Sequence, residues 1–345
     1  MKFLSDKAVE RLREGAEIPD LTGTRYSLPE RVARGGMGVV YAAEDEKLQR
    51  RVALKVLDVP SADGDLANRL IREALVLAGL EHPGIVPVHD VGTLSDGRVF
   101  YTMKFVQGRR LDQYVETVSS VTERLRIFLR ICDAVAFAHA QGVLHRDLKP
   151  ANIMVGSFGE VLVMDWGLAK LLREDARAPS HAADPDATVF EKPTKAGDSS
   201  GGAETIATGH GTIMGTPGYM SPEQARGDVE RLDARSDIFS LGALLRFLLA
   251  KNSDSSGNAL GKQRLDKALE AICSKAAAPD PEGRYLSVSE LSLDVSRYLD
   301  GLAVAAHREN FFEKLARFYR RYRFFILLIT AYLVMRVLIL LFLHR

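Results

Sequence analysis

"VLHRDLKPANIMV", Val143 to Val155, decides how this 345-residue chain is read. Its spacing carries chemistry. Asp147 can accept a hydroxyl proton or orient a nucleophile. Lys149, two residues on, points the same way along an extended loop and can neutralise a phosphoryl group in transfer. Asn152 offers an amide oxygen to a hard cation such as Mg2+. Downstream, "VLVMDWGLAK" delivers Asp165 at the end of an apolar strand, and Gly167 lets the chain turn sharply there. A carboxylate so placed can chelate Mg2+ that bridges the β- and γ-phosphates of a nucleotide.

Upstream lies "RVARGGMGVVYAAED", Arg31 to Asp45, with Gly35, Gly36 and Gly38 among β-branched residues. By itself this is a weak glycine-rich signal, and a hairpin turn explains it equally well. "VALK", Val52 to Lys55, follows where a nucleotide loop needs a lysine. From Tyr26 to Phe105 the pattern is strand-rich: "YSLPERVA", "VVYAAED", "RVALKVL", "IVPVHDVG" and "RVFYTMKFV" are short runs split by turn residues. One helical stretch, 66–80, interrupts them. After Gly108 the pattern becomes helical, with a buried helix expected over Arg124 to Ala140 and another in "SDIFSLGALLRFLLA". A β-rich half before an α-rich half predicts an α+β chain of two lobes with a cleft between them.

Together these motifs resemble a protein kinase of the eukaryotic-like bacterial serine/threonine type, over roughly Tyr26 to Gly301. The resemblance implies the two-lobed kinase fold, with an N-terminal extension at 1–25, an N-lobe at 26–106 and a C-lobe at 107–301. It implies ATP and Mg2+ as cofactors and transfer of the γ-phosphoryl group to Ser/Thr hydroxyls of proteins. Asp147, Lys149, Lys55 and Glu73 become the catalytic set, Glu73 pairing with Lys55. Asn152 and Asp165 become the metal ligands. Val32, Ala33, Gly35, Gly36 and Gly38 match the phosphate loop. Val40, Ala53 and Met154 would sandwich the adenine. Met103 matches the gatekeeper, and the backbone of Lys104 and Val106 the adenine-binding hinge. Leu77, Val88, His145 and Trp166 match an apolar stack, which makes His145 structural; His139 reads as a packing histidine. "GTPGYMSPE" matches the end of the activation segment, where Glu223 should pair with Arg284. Asp237 should brace the catalytic loop. Thr208 and Thr212 are candidate phosphosites beside Arg146, and Thr216 positions Asp147 and Lys149.

Three positions and one segment depart from the family pattern. Trp166 stands for Phe and Ser221 for Ala. Ala33 replaces the first loop glycine, so Ala33→Gly is expected to tighten ATP binding modestly. After Leu249 the chain passes almost directly to the closing helices, which shortens a substrate-docking module. Ala33 and the shortened segment keep a second reading open, a pseudokinase that signals by binding ATP or a partner. A small-molecule kinase is disfavoured by "GTPGYMSPE".

A net charge of +1 gives no sign of a nucleic-acid binder. Cys132 and Cys273 are too few and too far apart for a disulfide framework or zinc site. "MKFLSDKAVERLREG" has no apolar run for a signal peptide and reads as a short amphipathic helix. Residues 172–211 are rich in Ala, Asp, Pro, Ser, Thr and Gly, which predicts an extended, mobile activation-segment insert. In Phe324 to Leu343, fifteen of twenty residues are Phe, Ile, Leu or Val, and Arg336 is the one charge. At roughly −0.3 to −0.6 kcal/mol each these outweigh about +3 kcal/mol for the arginine, so a single transmembrane helix is expected. The basic, aromatic segment 302–323 would lie on anionic lipid and keep the kinase domain at the cytoplasmic face of the membrane. Expected partners are ATP, Ser/Thr protein substrates, membrane lipid, and a second copy of the chain for trans-autophosphorylation in signal transduction.

Overall fold

The computed structural model describes residues 18–35, 38–57, 71, 74–166, 218–228, 232–250, 266–307 and 310–343. The strands in chain order are β1 (Tyr26–Gly35), β2 (Gly38–Asp45), β3 (Arg50–Leu57), β4 (Val88–Thr93), β5 (Val99–Lys104), β6 (Gly108–Arg110), β7 (Ile153–Gly156) and β8 (Val161–Val163). The helices are α1 (Leu111–Tyr114), α2 (Val121–Ala140), α3 (Pro222–Arg226), α4 (Ala234–Ala250), α5 (Lys267–Ala276), α6 (Val288–Leu299) and α7 (Phe311–Leu343). They fall into two compact units. One holds Met1–Leu80, Pro87–Phe105 and Asp165–Leu232; the other holds Glu81–Val86, Val106–Met164 and Asp233–Arg345.

The first unit is built on an antiparallel sheet in the order β1-β2-β3-β5-β4. Alternation sorts its residues to two faces. Val39, Tyr41, Ala43, Val52, Leu54, Val56 and Phe100 bury one face in a core with Tyr26 and Leu94. Val40, Ala53, Lys55, Tyr101 and Met103 are left for the other. The strand expected from Ile85 begins only at Val88, because Pro87 lacks the N–H a ladder needs. Asp45, at the end of β2, is fully buried beside Arg25 Nε at 3.6 Å and Arg50 Nε at 3.8 Å. Of the helix expected at 66–80, residues 71 and 74–78 are helical, and 66–70 and 72–73 lie outside the described residues.

The second unit centres on α2. Ser120 starts this helix by accepting from Glu123 N at 3.4 Å, and Gly142, at φ +75°, turns the chain away after it. Leu125, Phe128, Ile131 and Val135 are buried, as the near-continuous apolar run predicts. Arg124 is buried with them. Its guanidinium donates to the carbonyls of Val115, Val118 and Leu248. It thereby satisfies one carbonyl at the end of α4, Leu248 O, that the helix itself cannot. On α6, Asp294 accepts from Tyr285 Oη at 2.9 Å, Ala305 N at 2.7 Å and Ala306 N at 3.0 Å, which straps residues 302–307 to this unit.

The last element, α7, is one helix of 33 residues. Among the described residues no helix is long and apolar enough to cross a membrane. The side chains of Val337, Leu338 and 340–343 lie outside the described ones. The span expected at 324–343 is therefore not shown. The insert expected at 172–211 and the shortened stretch expected after Leu249, in 251–265, also lie outside the described residues, as do 1–17 of the N-terminal extension.

Candidate active site

The catalytic loop, His145 to Asn152, belongs to the second unit, and α4 holds it from behind. Asp237 is buried, and its two oxygens accept from the backbone N–H groups of His145 and Arg146, each at 2.7 Å. Burial alone would raise the Asp237 carboxyl, but the hydrogen bond and charge of His139, with His145, hold it below 3.8. His139 is thus more than packing: its Nε2 lies 2.8 Å from Asp237 Oδ2. His145 is fully buried, its Nε2 facing Met164 O at 2.9 Å and its Nδ1 accepting from Asp147 N at 3.3 Å. A carbonyl partner requires N–H on Nε2, so both ring nitrogens are spent and His145 has no lone pair to act as a base.

These bonds aim Asp147. Its Oδ2 accepts from Lys149 Nζ at 2.8 Å and from Asn152 Nδ2 at 3.1 Å. Asn152 Nδ2 also donates to Asp147 O at 2.9 Å. Asp147 Oδ1 takes part in none of these and is the atom available to a hydroxyl. The Asn152 amide nitrogen is committed to Asp147, which leaves its oxygen for a cation. A short 3-10 turn at Pro150–Asn152 and the start of β7 fix the spacing, because Pro150 pre-sets φ. Met154 is half-buried on β7.

In the first unit, sheet register gathers a second set. Val40 pairs with Lys55, Ala53 with Met103 and Lys55 with Tyr101. Lys55 Nζ lies 2.8 Å from Asp165 Oδ1. Burial works against the ammonium, but the neighbouring Tyr101 and Asp165 outweigh it and raise the pKa. Asp165 is held at φ +56°, an uncommon conformation for a non-glycine residue, and the chain invests that strain where the carboxylate meets Lys55. Lys104 spends its N–H on Pro87 O at 3.1 Å. Val106 is half-buried in the second unit. Val32 is exposed on β1. Gly36 and Glu73 lie outside the described residues, as do Thr208, Thr212 and Thr216.

The glycine-rich stretch reads differently in three dimensions. A Cβ on Gly38 would meet Val56 O at 2.1 Å, so β3 rather than a phosphate demands glycine there. Ala33 pairs with Val40 inside β1 and is not among the residues of positive φ. Glu223 is buried in the first unit. Arg284, buried in the second, donates to Ala278 O, Pro279 O and Arg235 O and stacks on Phe239 at 5.0 Å. Reasoning from the sequence passed over Tyr101, which sheet register sets directly across from Lys55. Its signal was present: it stands two residues before Met103 on an alternating strand, hence on the same face.

Among the described residues no cluster of three or more His, Cys, Asp or Glu side chains could hold a metal by itself. The donors on offer, the Asn152 amide oxygen and the Asp165 carboxylate, are hard oxygens. Mg2+ prefers such ligands and keeps several waters, so the donor chemistry fits it.

The comparisons agree with this chemistry. A protein kinase domain model matches residues 26–294. The serine/threonine-protein kinase PknD of Protochlamydia amoebophila is 32% identical, the match covering 80% of this chain and 30% of that one. PknD of Chlamydia muridarum is 36% identical, with 80% and 32% covered. The chain thus spans about a third of the length of these relatives. The crystal structure of the Mycobacterium tuberculosis PknI kinase domain is similar at a TM-score of 0.55 and 25% identity, covering 81% of this chain and 96% of that one. With the family model matched over most of its length, and with the catalytic-loop, lysine-strand and Asp-Trp-Gly motifs in order, the chain belongs to the protein kinase domain family.

Proposed function

We propose that this chain is an ATP- and Mg2+-dependent protein serine/threonine kinase that phosphorylates itself and is tethered at the cytoplasmic face of a membrane through 324–343. The observation that carries the kinase reading is the Asp147 carboxylate, held on one oxygen by Lys149 and Asn152 with the other oxygen left over. The names of the PknD relatives support Ser/Thr specificity. The 20-residue sequence run with one charge supports the tether.

In this reading Asp147 Oδ1 accepts the hydrogen of a substrate Ser or Thr hydroxyl and aims its oxygen at the γ-phosphorus. Lys149 sits against the same carboxylate and meets the charge on the phosphoryl oxygens. Lys55 holds the α- and β-phosphate oxygens. Asn152 and Asp165 would hold Mg2+, which when bound neutralises phosphate charge. Catalysis is chiefly positioning and preorganised charge. The pseudokinase alternative drew on Ala33 and the segment after Leu249. Ala33 without a positive φ carries no strain, which weakens that alternative.

Purified full chain with ATP and Mg2+ should incorporate phosphate on Ser/Thr, and Asp147→Asn should lower the rate by about 10³-fold while nucleotide binding stays. Equal incorporation by both proteins would sink the assignment. ATP binding without incorporation by the wild type would favour the pseudokinase.

A further inference from the structure

Before the apolar run 324–343 begins, α7 already leaves large apolar side chains uncovered. Leu315 is 54% exposed and Tyr319 55%, and Tyr322 is exposed on the next turn. Their spacing is regular. Leu315, Tyr319, Tyr322, Ile326 and Ile329 follow one another at alternating steps of four and three residues. That is the 3.5-residue period of a seam along which two helices wind together. The charges keep off it. With Tyr319 at position a of the heptad and Leu315 and Tyr322 at d, Glu313, Lys314, Arg317, Arg320 and Arg321 all take b, c or f. Those positions point away from a partner helix. Arg323, at e, flanks the seam with its guanidinium 5.0 Å from the Phe324 ring.

A lipid surface could take the same side chains if 311–323 lay flat along it. The backbone speaks against that. The helix runs unbroken from Phe311 to Leu343. If it crosses a bilayer over 324–343, it carries Leu315 on along the same axis to about 13 Å beyond the hydrocarbon, past the headgroups. Lipid does not reach it there.

We infer that a second copy of this chain covers the stripe, two α7 helices pairing in parallel through Leu315, Tyr319, Tyr322, Ile326 and Ile329. The inference rests on the tether proposed above. Two chains anchored in the same way hold α7 parallel and at one height, so each seam residue meets its own counterpart across a two-fold axis. Confinement to one membrane also raises their effective concentration without any new contact. The charge pattern agrees, because the basic faces of both copies point outward and pairing does not bring them together. The seam stops before Arg336, which falls at d in the same register and would meet its own like charge in apolar surroundings. Pairing along this stretch sets two chains side by side, as transfer of phosphate from one to the other requires.

Cysteine cross-linking tests this on the full chain reconstituted in vesicles of phosphatidylcholine and phosphatidylglycerol. The native Cys132 and Cys273 are buried and stay out of the reaction. A disulfide needs its two Cβ atoms about 3.5–4.5 Å apart. After mild oxidation, Leu315→Cys, Tyr319→Cys and Tyr322→Cys should each give severalfold more linked dimer than Lys314→Cys, Arg317→Cys or Arg321→Cys. Adding Tyr319→Lys to Tyr322→Cys puts a like charge into the seam and should cut its dimer yield severalfold. Equal yields at all six positions, or the highest at the three basic ones, would overturn the seam. No dimer at any position, in chains that sediment with the vesicles, would also overturn it and assign the stripe to lipid or to another protein. Chains that do not sediment with the vesicles would overturn the tether, and this inference with it.

Discussion

Gly38 shows how a residue's reason can lie across the sheet from where the motif points. Its φ of +150° and the 2.1 Å approach of Val56 O leave no room for a side chain. Gly38→Ala should cost about 1–3 kcal/mol of stability, the usual penalty for forcing a methyl into packed backbone, read from a urea melt. Stability unchanged with ATP binding lost would return the role to the phosphates. Ala33 runs the other way. In a strand with no positive φ, Ala33→Gly should cost about 0.5–1 kcal/mol and leave ATP affinity unimproved, reversing the expectation from the motif. Asp237 gives a pH dependence. Its folded pKa lies below 3.8, so the unfolded chain takes up the proton first as pH falls. The stabilisation is complete above 3.8 and is lost as pH drops through the lower, folded value. The melting temperature of the wild type should lose this contribution only below about pH 4, as pH falls past 3.8 towards the folded value. Asp237→Asn should begin about 2 kcal/mol less stable and lose less over that range. The effects at Gly38 and Asp237 cannot be read from the local sequence, because each depends on an atom between 18 and 98 positions away along the chain.

At the scale of elements, Ser221 explains itself. In place of the family's Ala it caps α3: its Oγ accepts from Gln224 N at 3.4 Å, and Gln224 Oε1 accepts from Ser221 N at 3.2 Å. Gly227, at φ +75°, ends the helix. The Ser-Pro-Glu-Gln order is a capping box legible in the sequence, with Pro at the first helical position. Ser221→Ala should cost about 1 kcal/mol, measured as increased amide exchange in α3. Arg124 was not legible. In "VTERLRIFLRIC" it looks like a solvent-facing charge, and α2 instead buries it against the end of α4. Arg124→Met should lose about 2 kcal/mol in a denaturant melt, because the buried carbonyls of Val118 and Leu248 lose the guanidinium and Val115 O keeps only Val118 N. A smaller loss would mean the added apolar packing compensates.

For the whole molecule, the strap held by Asp294 runs between α6 and α7, so the segment leading to the last helix is fixed to the second unit rather than hanging free. If 324–343 is a membrane tether, the full chain should co-sediment with lipid vesicles and resist extraction by salt and carbonate, while a chain ending at 323 should stay in the supernatant. Sedimentation equal for both would remove the tether from the proposal. The sequence by itself determined the family, the order of the strands and helices, and the chemical identity of Asp147, Lys149, Asn152, Lys55 and Asp165, because motif spacing and hydrophobic period are local properties that a chain carries wherever it folds. Only the tertiary structure decided which of these groups touch. Sheet register set Tyr101 against Lys55, β3 imposed glycine at 38, and Asp237 reached the loop from a helix some 90 residues on. Those are contacts between segments distant in sequence, and no local pattern encodes their distance.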